Sequence, residues 1–138
     1  MRYKALLIDV DGTAVISEVR NQKVLEELAL QGGFEIRDEH WEYLVGSGDE
    51  YIWEKICELE PDFADTYPSA AEFEAACIRG YAAHINEIRA NIPVRDTVRM
   101  FRENARDVGA VSNSVHEVVE DNLSHTGYDM DDFAIVLG

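Results

Sequence analysis

"ALLIDVDGTAV", residues 5–15, is the stretch on which the fold turns. Apolar residues run from Ala5 to Ile8 and end on Asp9 and Asp11, one residue apart, with Gly12 and Thr13 next. Asp-Gly between apolar runs is a signal for a two-residue hairpin. A hairpin needs a second alternating strand, and none follows. Residues 18–30, "EVRNQKVLEELAL", place Val24, Leu25, Leu28 and Leu30 on a mostly helical spacing, and Gly32-Gly33 stops that helix. A calcium loop would need oxygen ligands at alternate positions and glycine at the sixth, whereas glycine stands fourth here. The local order is therefore buried strand, acidic loop, helix. In open α/β sheets, ligand chemistry sits in such loops at the carboxyl ends of strands.

The chain has 138 residues, enough for one ordinary domain or two small ones, and 46% of them are hydrophobic, enough to fold. Its formal net charge is -16, from 28 acidic and 12 basic residues. Such a surface repels phosphate backbones and anionic lipid, so neither nucleic acid nor a membrane is expected as a partner. No apolar run approaches transmembrane length, and the N-terminus lacks the apolar core of a signal peptide, so a cytoplasmic location is expected. Cys57 and Cys77 lie in helix-like segments at a spacing that fits no metal or redox motif, which reads as two free thiols in a reducing compartment.

Further along, "DEHWEYLV" at 38–45 reads as a short helix with Asp38 as N-cap and Gly46 just past its end. Ser47 with Glu50 forms a capping-box pattern, opening a helix that carries Tyr51, Ile52, Ile56 and Leu59 and ends at Pro61. Ser69 with Glu72 repeats the pattern before a long helix to about Ala90. Residues 14 to about 91 thus read as helical throughout, a small bundle. Pro93 opens one more helix with Val94, Val98 and Phe101. "DVGAVSNS" at 107–114 is a buried strand ending on hydroxyl and amide groups. Ser114 with Glu117 makes a third capping box for a helix to about Ser124, and "FAIVLG" at 133–138 is a last strand.

Two strand ends therefore carry chemistry: Asp9 and Asp11 on the first, Ser112 and Asn113 on the second, at the start of a helix. Helix N-termini offer free N–H groups and a positive dipole, which hold phosphate well. A carboxylate nucleophile facing such a cradle suggests phosphoryl transfer through an aspartyl-phosphate. Asp129, Asp131 and Asp132 precede a strand rather than follow one and read as a solvated turn. Arg20 and Arg79 read as surface residues.

The pattern resembles the haloacid dehalogenase (HAD)-like hydrolase superfamily. "LLIDVDGTAV" is similar to its first motif, "GAVSNS" to its second, and the helical stretch between them to its C1 cap. "TAVISEVRNQ" resembles the start of that cap, with Ile16 where an Asp is usual. "LVGSGDEYIWEKI" resembles the cap loop through which phosphoglucomutase-like and phosphoglycolate-phosphatase-like members read substrate. The resemblance implies an α/β fold, a parallel Rossmann-like core at 1–13 and 93–138 with a helical cap at 14–92. It implies Asp9 as nucleophile and magnesium ligand, and Asp11 as general acid and base, with its main-chain carbonyl on the same metal. Ser112 and Asn113 would hold the phosphoryl group, Gly12 and Thr13 would shape the loop, and Gly46, Ser47 and Gly48 would choose the substrate. An Asp at position 11 points to a phosphatase or mutase acting on a small phosphorylated metabolite.

The family's third motif is a Lys and its fourth an acidic pair after another strand. Lys4, Lys23 and Lys55 do not stand where that Lys belongs. Two alternatives therefore stand beside a magnesium-dependent phosphatase. One is a shortened, catalytically impaired chain acting as a binding module. The other is a chain completed by a partner or a second copy through the strand at residues 4–9, which would otherwise be an open apolar edge.

Overall fold

The computed structural model describes residues 2–138. In chain order the elements are β1 (Ala5–Asp9), β2 (Val15–Ile16), α1 (Glu18–Gln31), α2 (Asp38–Leu44), α3 (Asp49–Leu59) and α4 (Phe63–Thr66). They continue with α5 (Ala70–Ala83), β3 (Arg89–Ala90), α6 (Ile92–Glu103), β4 (Asp107–Val111), α7 (His116–His125) and β5 (Ile135–Leu137). Single 3-10 turns stand at Ile85–Glu87 and Met130–Asp132.

Of the described residues, 2–20 and 84–138 form one compact unit. Its sheet has strand order β1-β4-β5, all parallel, with Ala5 opposite Asp107 and Asp9 opposite Val111. Both crossovers run in the same direction across the sheet, so right-handed connections put α6 and α7 on one face. Strand alternation then sorts the side chains. Leu6, Ile8, Val108, Ala110 and Val136 turn into a core with Val98, Phe101, Val119 and Leu123. Leu7, Val111, Ile135 and Leu137 turn to the other face and stay exposed, Leu7 by 71%. Among the described residues β1 pairs only with β4, so it is an edge strand.

The helical reading of residues 14–91 is corrected at both ends. The helix expected to reach Ala90 stops at Ala83, and β3 pairs antiparallel with β2, Val15 opposite Ala90. The Asn91 amide donates to the Ala14 carbonyl at 2.9 Å, which closes the ribbon. Residues 14–20 and 84–92 consequently fold with the sheet, and the division of the chain falls at 20/21 and 83/84.

Residues 21–83 form the second unit, which is entirely helical. Phe63, Tyr67 and Phe73 make its centre, with Phe63 edge-on to Phe73 at 5.6 Å between ring centroids. Leu25, Leu44, Ile52, Ile56 and Cys77 pack around them. The Trp53 indole reaches the Tyr67 carbonyl at 2.8 Å, so its polar edge is satisfied. The expected cap at Ser47 is not formed: Gly48 is the N-cap of α3, and the Ser47 hydroxyl donates back to the Tyr43 carbonyl at 2.9 Å. Ser69 does cap, accepting from the Glu72 amide at 3.3 Å. Asp38 is the first residue of α2 rather than its cap, which is Arg37. Cys57 and Cys77 are free thiols.

Two features generate predictions. Helix α6 ends in a Schellman motif: the Arg106 amide donates to the Phe101 carbonyl and the Ala105 amide to that of Arg102. This forces Ala105 to a φ of 51°, a left-handed conformation that penalises a Cβ. Ala105→Gly should therefore stabilise the protein by about 1 kcal/mol, read as a raised denaturation midpoint in urea.

The second is Asp49, in the first turn of α3. Burial, and then the Glu74 carboxylate, push its carboxyl up to about 6, while a hydrogen bond with the Cys77 thiol pulls the other way. The folded state thus holds this proton more tightly than the unfolded chain, whose ordinary value is 3.8. Stability from this group is complete below that ordinary value and is lost as pH rises through about 6. Chemical denaturation at a series of pH values should show that decline in the wild type and a flatter profile in Asp49→Asn.

Candidate active site

The loop after β1 folds on itself. Ala14 donates to the Asp9 carbonyl at 3.2 Å, Val15 to that of Val10 at 2.9 Å, and Gly12 to that of Val15 at 2.8 Å. Gly12 sits at φ 80°, and a Cβ there would lie 2.9 Å from the Glu18 carboxylate, so the turn requires glycine. Tyr128 pins the loop from the far end of the unit, its buried hydroxyl donating to the Ala14 carbonyl at 2.9 Å. Burial pushes the Tyr128 phenol up, which keeps it a donor.

Asp9 ends β1 beside Val111, and Ser112 follows Val111, so the two polar strand ends lie side by side. An open pocket of about 260 Å³ forms there, lined by Leu7, Ile8, Asp9, Val111, Ser112 and Asn113. Asp9 is exposed, and its Oδ2 accepts from the Thr13 hydroxyl at 2.9 Å. The first turn of α7 begins at His116, shortly after, with main-chain N–H groups unused by the helix.

Asp11 is placed differently. Its Oδ1 accepts from the Ser17 hydroxyl at 2.8 Å and the Asn122 amide at 3.0 Å. Its Oδ2 accepts from the hydroxyls of Ser112 at 3.0 Å and Ser114 at 2.9 Å. Ser112 therefore spends its single proton on Asp11, while accepting from the Ser114 amide at 3.1 Å. The capping box expected at Ser114 is absent, because its hydroxyl is engaged by Asp11 and α7 starts from Val115 as N-cap.

The surface reading of Arg20 is overturned. Arg20 is 1% exposed, and its guanidinium donates to Asn122 Oδ1 at 2.8 Å. Asn122, fully buried, was not singled out from the sequence. The signal was there: it lies on the apolar face of α7, next to Leu123 and one turn from Val118 and Val119. A polar residue on such a face needs a partner. Arg79 is exposed. Asp129 accepts from the Asp131 amide at 3.0 Å within the turn Met130–Asp132, in keeping with a turn rather than a ligand pair. Gly46, at φ 77°, with Ser47 and Gly48 links α2 to α3 in the helical unit.

No three His, Cys, Asp or Glu side chains converge among the described residues. Magnesium does not require three. It is commonly held by one or two carboxylates, with phosphate and water completing its octahedron. The exposed carboxylate of Asp9, opening on a pocket large enough for phosphate, fits that mode. The Asp11 side chain, with both oxygens occupied, does not add to it in this arrangement.

No protein-family model and no curated protein matches this sequence. Solved structures do. CbbY from Rhodobacter sphaeroides in complex with phosphate superposes with a TM-score of 0.78 at 17% identity, over 98% of this chain and 63% of that one. A predicted phosphoglycolate phosphatase from Haemophilus somnus 129pt gives 0.76 at 18% identity, over 100% and 63%. A HAD family hydrolase from Deinococcus radiodurans R1 with bound phosphate and sodium gives 0.62 at 18%, over 97% and 57%. The fold is thus HAD-like throughout, and the chain spans about three-fifths of the length of the structures it matches.

Proposed function

We propose that this chain carries the catalytic half-site of a magnesium-dependent phosphoric monoester hydrolase of small phosphorylated metabolites. The observation that carries this reading is the pairing of the Asp9 and Ser112 strand ends around one open pocket. Two of the similar structures, CbbY and the Deinococcus radiodurans hydrolase, hold phosphate, which supports the same ligand class here. A cytoplasmic location is part of the reading; among the described residues no helix is long and apolar enough to cross a membrane.

In this reading Asp9 attacks phosphorus in line, and its carboxylate oxygen forms the new P–O bond as the ester P–O bond breaks. Asp11 first takes up a proton from solvent, gives it to the departing alkoxide, and then takes one from the water that hydrolyses the aspartyl-phosphate. For that, Asp11 exchanges one of its present donors for the leaving oxygen. Ser112, once it releases Asp11, donates to a phosphoryl oxygen, with Asn113 and the first N–H groups of α7 beside it. The Asp9 carboxylate and the Asp11 carbonyl would hold magnesium, which would neutralise phosphoryl charge. Gly12 and Thr13 hold the loop, and Gly46, Ser47 and Gly48 select the substrate.

The test is hydrolysis of an aryl phosphate with and without magnesium. Activity should need the metal, and Asp9→Asn should lower kcat by about a thousandfold or more. An unchanged rate in that variant refutes the nucleophile.

The second reading rests on the β1 edge. An apolar edge strand with unpaired N–H and C=O groups recruits a partner. Residues 4–9 should pair with a second copy or with a completing chain, which could bring a Lys or carboxylate toward Asp9. Sedimentation at micromolar concentration should find a species heavier than 15.6 kDa. A soluble monomer with fast amide exchange at Ala5–Ile8 contradicts it.

A further inference from the structure

We infer that Asn122 and Arg20 are positioning residues for Asp11: a buried guanidinium fixes the carboxamide of Asn122, and the carboxamide fixes the carboxylate. The inference rests on the phosphatase reading only for what Asp11 does, not for how it is held.

The chemistry leaves one orientation for the amide. Arginine can only donate, so the oxygen of Asn122 must face Arg20, and it does at 2.8 Å. A carboxylate can only accept, so the nitrogen of Asn122 must face Asp11, and it does at 3.0 Å. Reversing the amide would set nitrogen against guanidinium and oxygen against carboxylate, two repulsions at once. The bridge therefore has a direction, from the positive end through the amide dipole to the negative end.

Burial makes that direction count. Arg20 is 1% exposed and Asn122 fully buried, so water cannot take over either role cheaply. The other three donors to Asp11 are hydroxyls, which rotate to follow an acceptor. Asn122 is the one donor with a fixed direction, set from its far side by Arg20. It enters from the middle of α7, whose Val119 and Leu123 are locked in the core. Asp11 sits on a loop, and the bridge gives that loop the reference of a packed helix.

The experiment follows the Asp11 side-chain carboxyl carbon by NMR at one fixed pH in the full chain, together with kcat and KM for an aryl phosphate. Asn122→Leu should shift the Asp11 carboxyl signal and leave the amide spectrum of residues 21–83 in place. Asn122→Asp should keep an acceptor for Arg20 but no donor for Asp11, and so shift the same signal. Arg20→Met should shift it without replacing any residue that contacts Asp11. Each should lower kcat by about 10- to 100-fold with KM within about twofold.

Asn122→Leu takes a hydrogen-bond acceptor away from the buried Arg20 guanidinium and could unfold the chain. The double variant Arg20→Met/Asn122→Leu replaces both by apolar groups and keeps the core filled. A purely structural role would be rescued by that variant, with kcat returning to the wild-type value, and this outcome overturns the inference. An unmoved Asp11 signal in Asn122→Leu overturns it as well. A wild-type chain with no phosphatase activity instead refutes the functional reading, and the carboxyl signal still decides whether the bridge positions Asp11.

Discussion

The Asp11 carboxylate ties together parts of the chain that are far apart in sequence. Ser112, Ser114 and Asn122 reach it across 101, 103 and 111 residues, and Ser17 reaches it from the loop's own exit. Loop-closure entropy grows only logarithmically with length, and here it is met once, by the parallel pairing of β1 with β4. After that pairing the remaining donors close at little further cost. Hydrogen bonds to a charged group are each worth about 1.5–3 kcal/mol, more than neutral ones. The loop from Val10 to Val15 is thereby held from outside as well as by its own backbone bonds.

The same fact separates two residues that look alike in the sequence. Asp9 and Asp11 are the same side chain two positions apart, the first closing β1 and the second in the loop after it. Asp9 faces an open pocket with Thr13 on one oxygen. Asp11 faces inward and both of its oxygens are occupied by neutral donors. Environment, not residue type, divides the labour between paired carboxylates. In the phosphatase reading the accessible oxygen of Asp9 attacks phosphorus, and Asp11 carries protons by exchanging one of its donors for the leaving oxygen.

Much of the sheet was legible in residues 5–15 and 107–114 because buried parallel strands are continuous apolar runs, and these end on polar groups where the loops begin. The β2–β3 ribbon was not legible. Each strand has two residues, too few for a period of two to register, and the partners lie at opposite ends of the helical insertion. Residues 84–90 therefore read as a continuation of α5. Capping boxes misled for a related reason. A Ser followed three residues later by Glu is a local pattern, but a hydroxyl has one proton and takes the best acceptor in space. The Ser69 oxygen accepts from the Glu72 amide, whereas the Ser47 hydroxyl donates to the Tyr43 carbonyl and the Ser114 hydroxyl to the Asp11 carboxylate. Arg20 escaped because a lone arginine in the first turns of a helix is ordinarily solvated, whereas this one is buried and donates to the buried Asn122.

Charge sets the remaining constraint on an anion site in this chain. With a net charge of -16, the molecule as a whole repels phosphate. At physiological ionic strength, however, fields from exposed carboxylates fade over about 8 Å. What an anion in the pocket meets is then local: Ser112 and Asn113, beside one exposed carboxylate. In the phosphatase reading that carboxylate is the group that attacks, and the neutral donors alone do not offset its repulsion of a dianion. A cation at Asp9 would offset it. The acidity of the pocket and the need for magnesium are thus one requirement of the phosphatase reading.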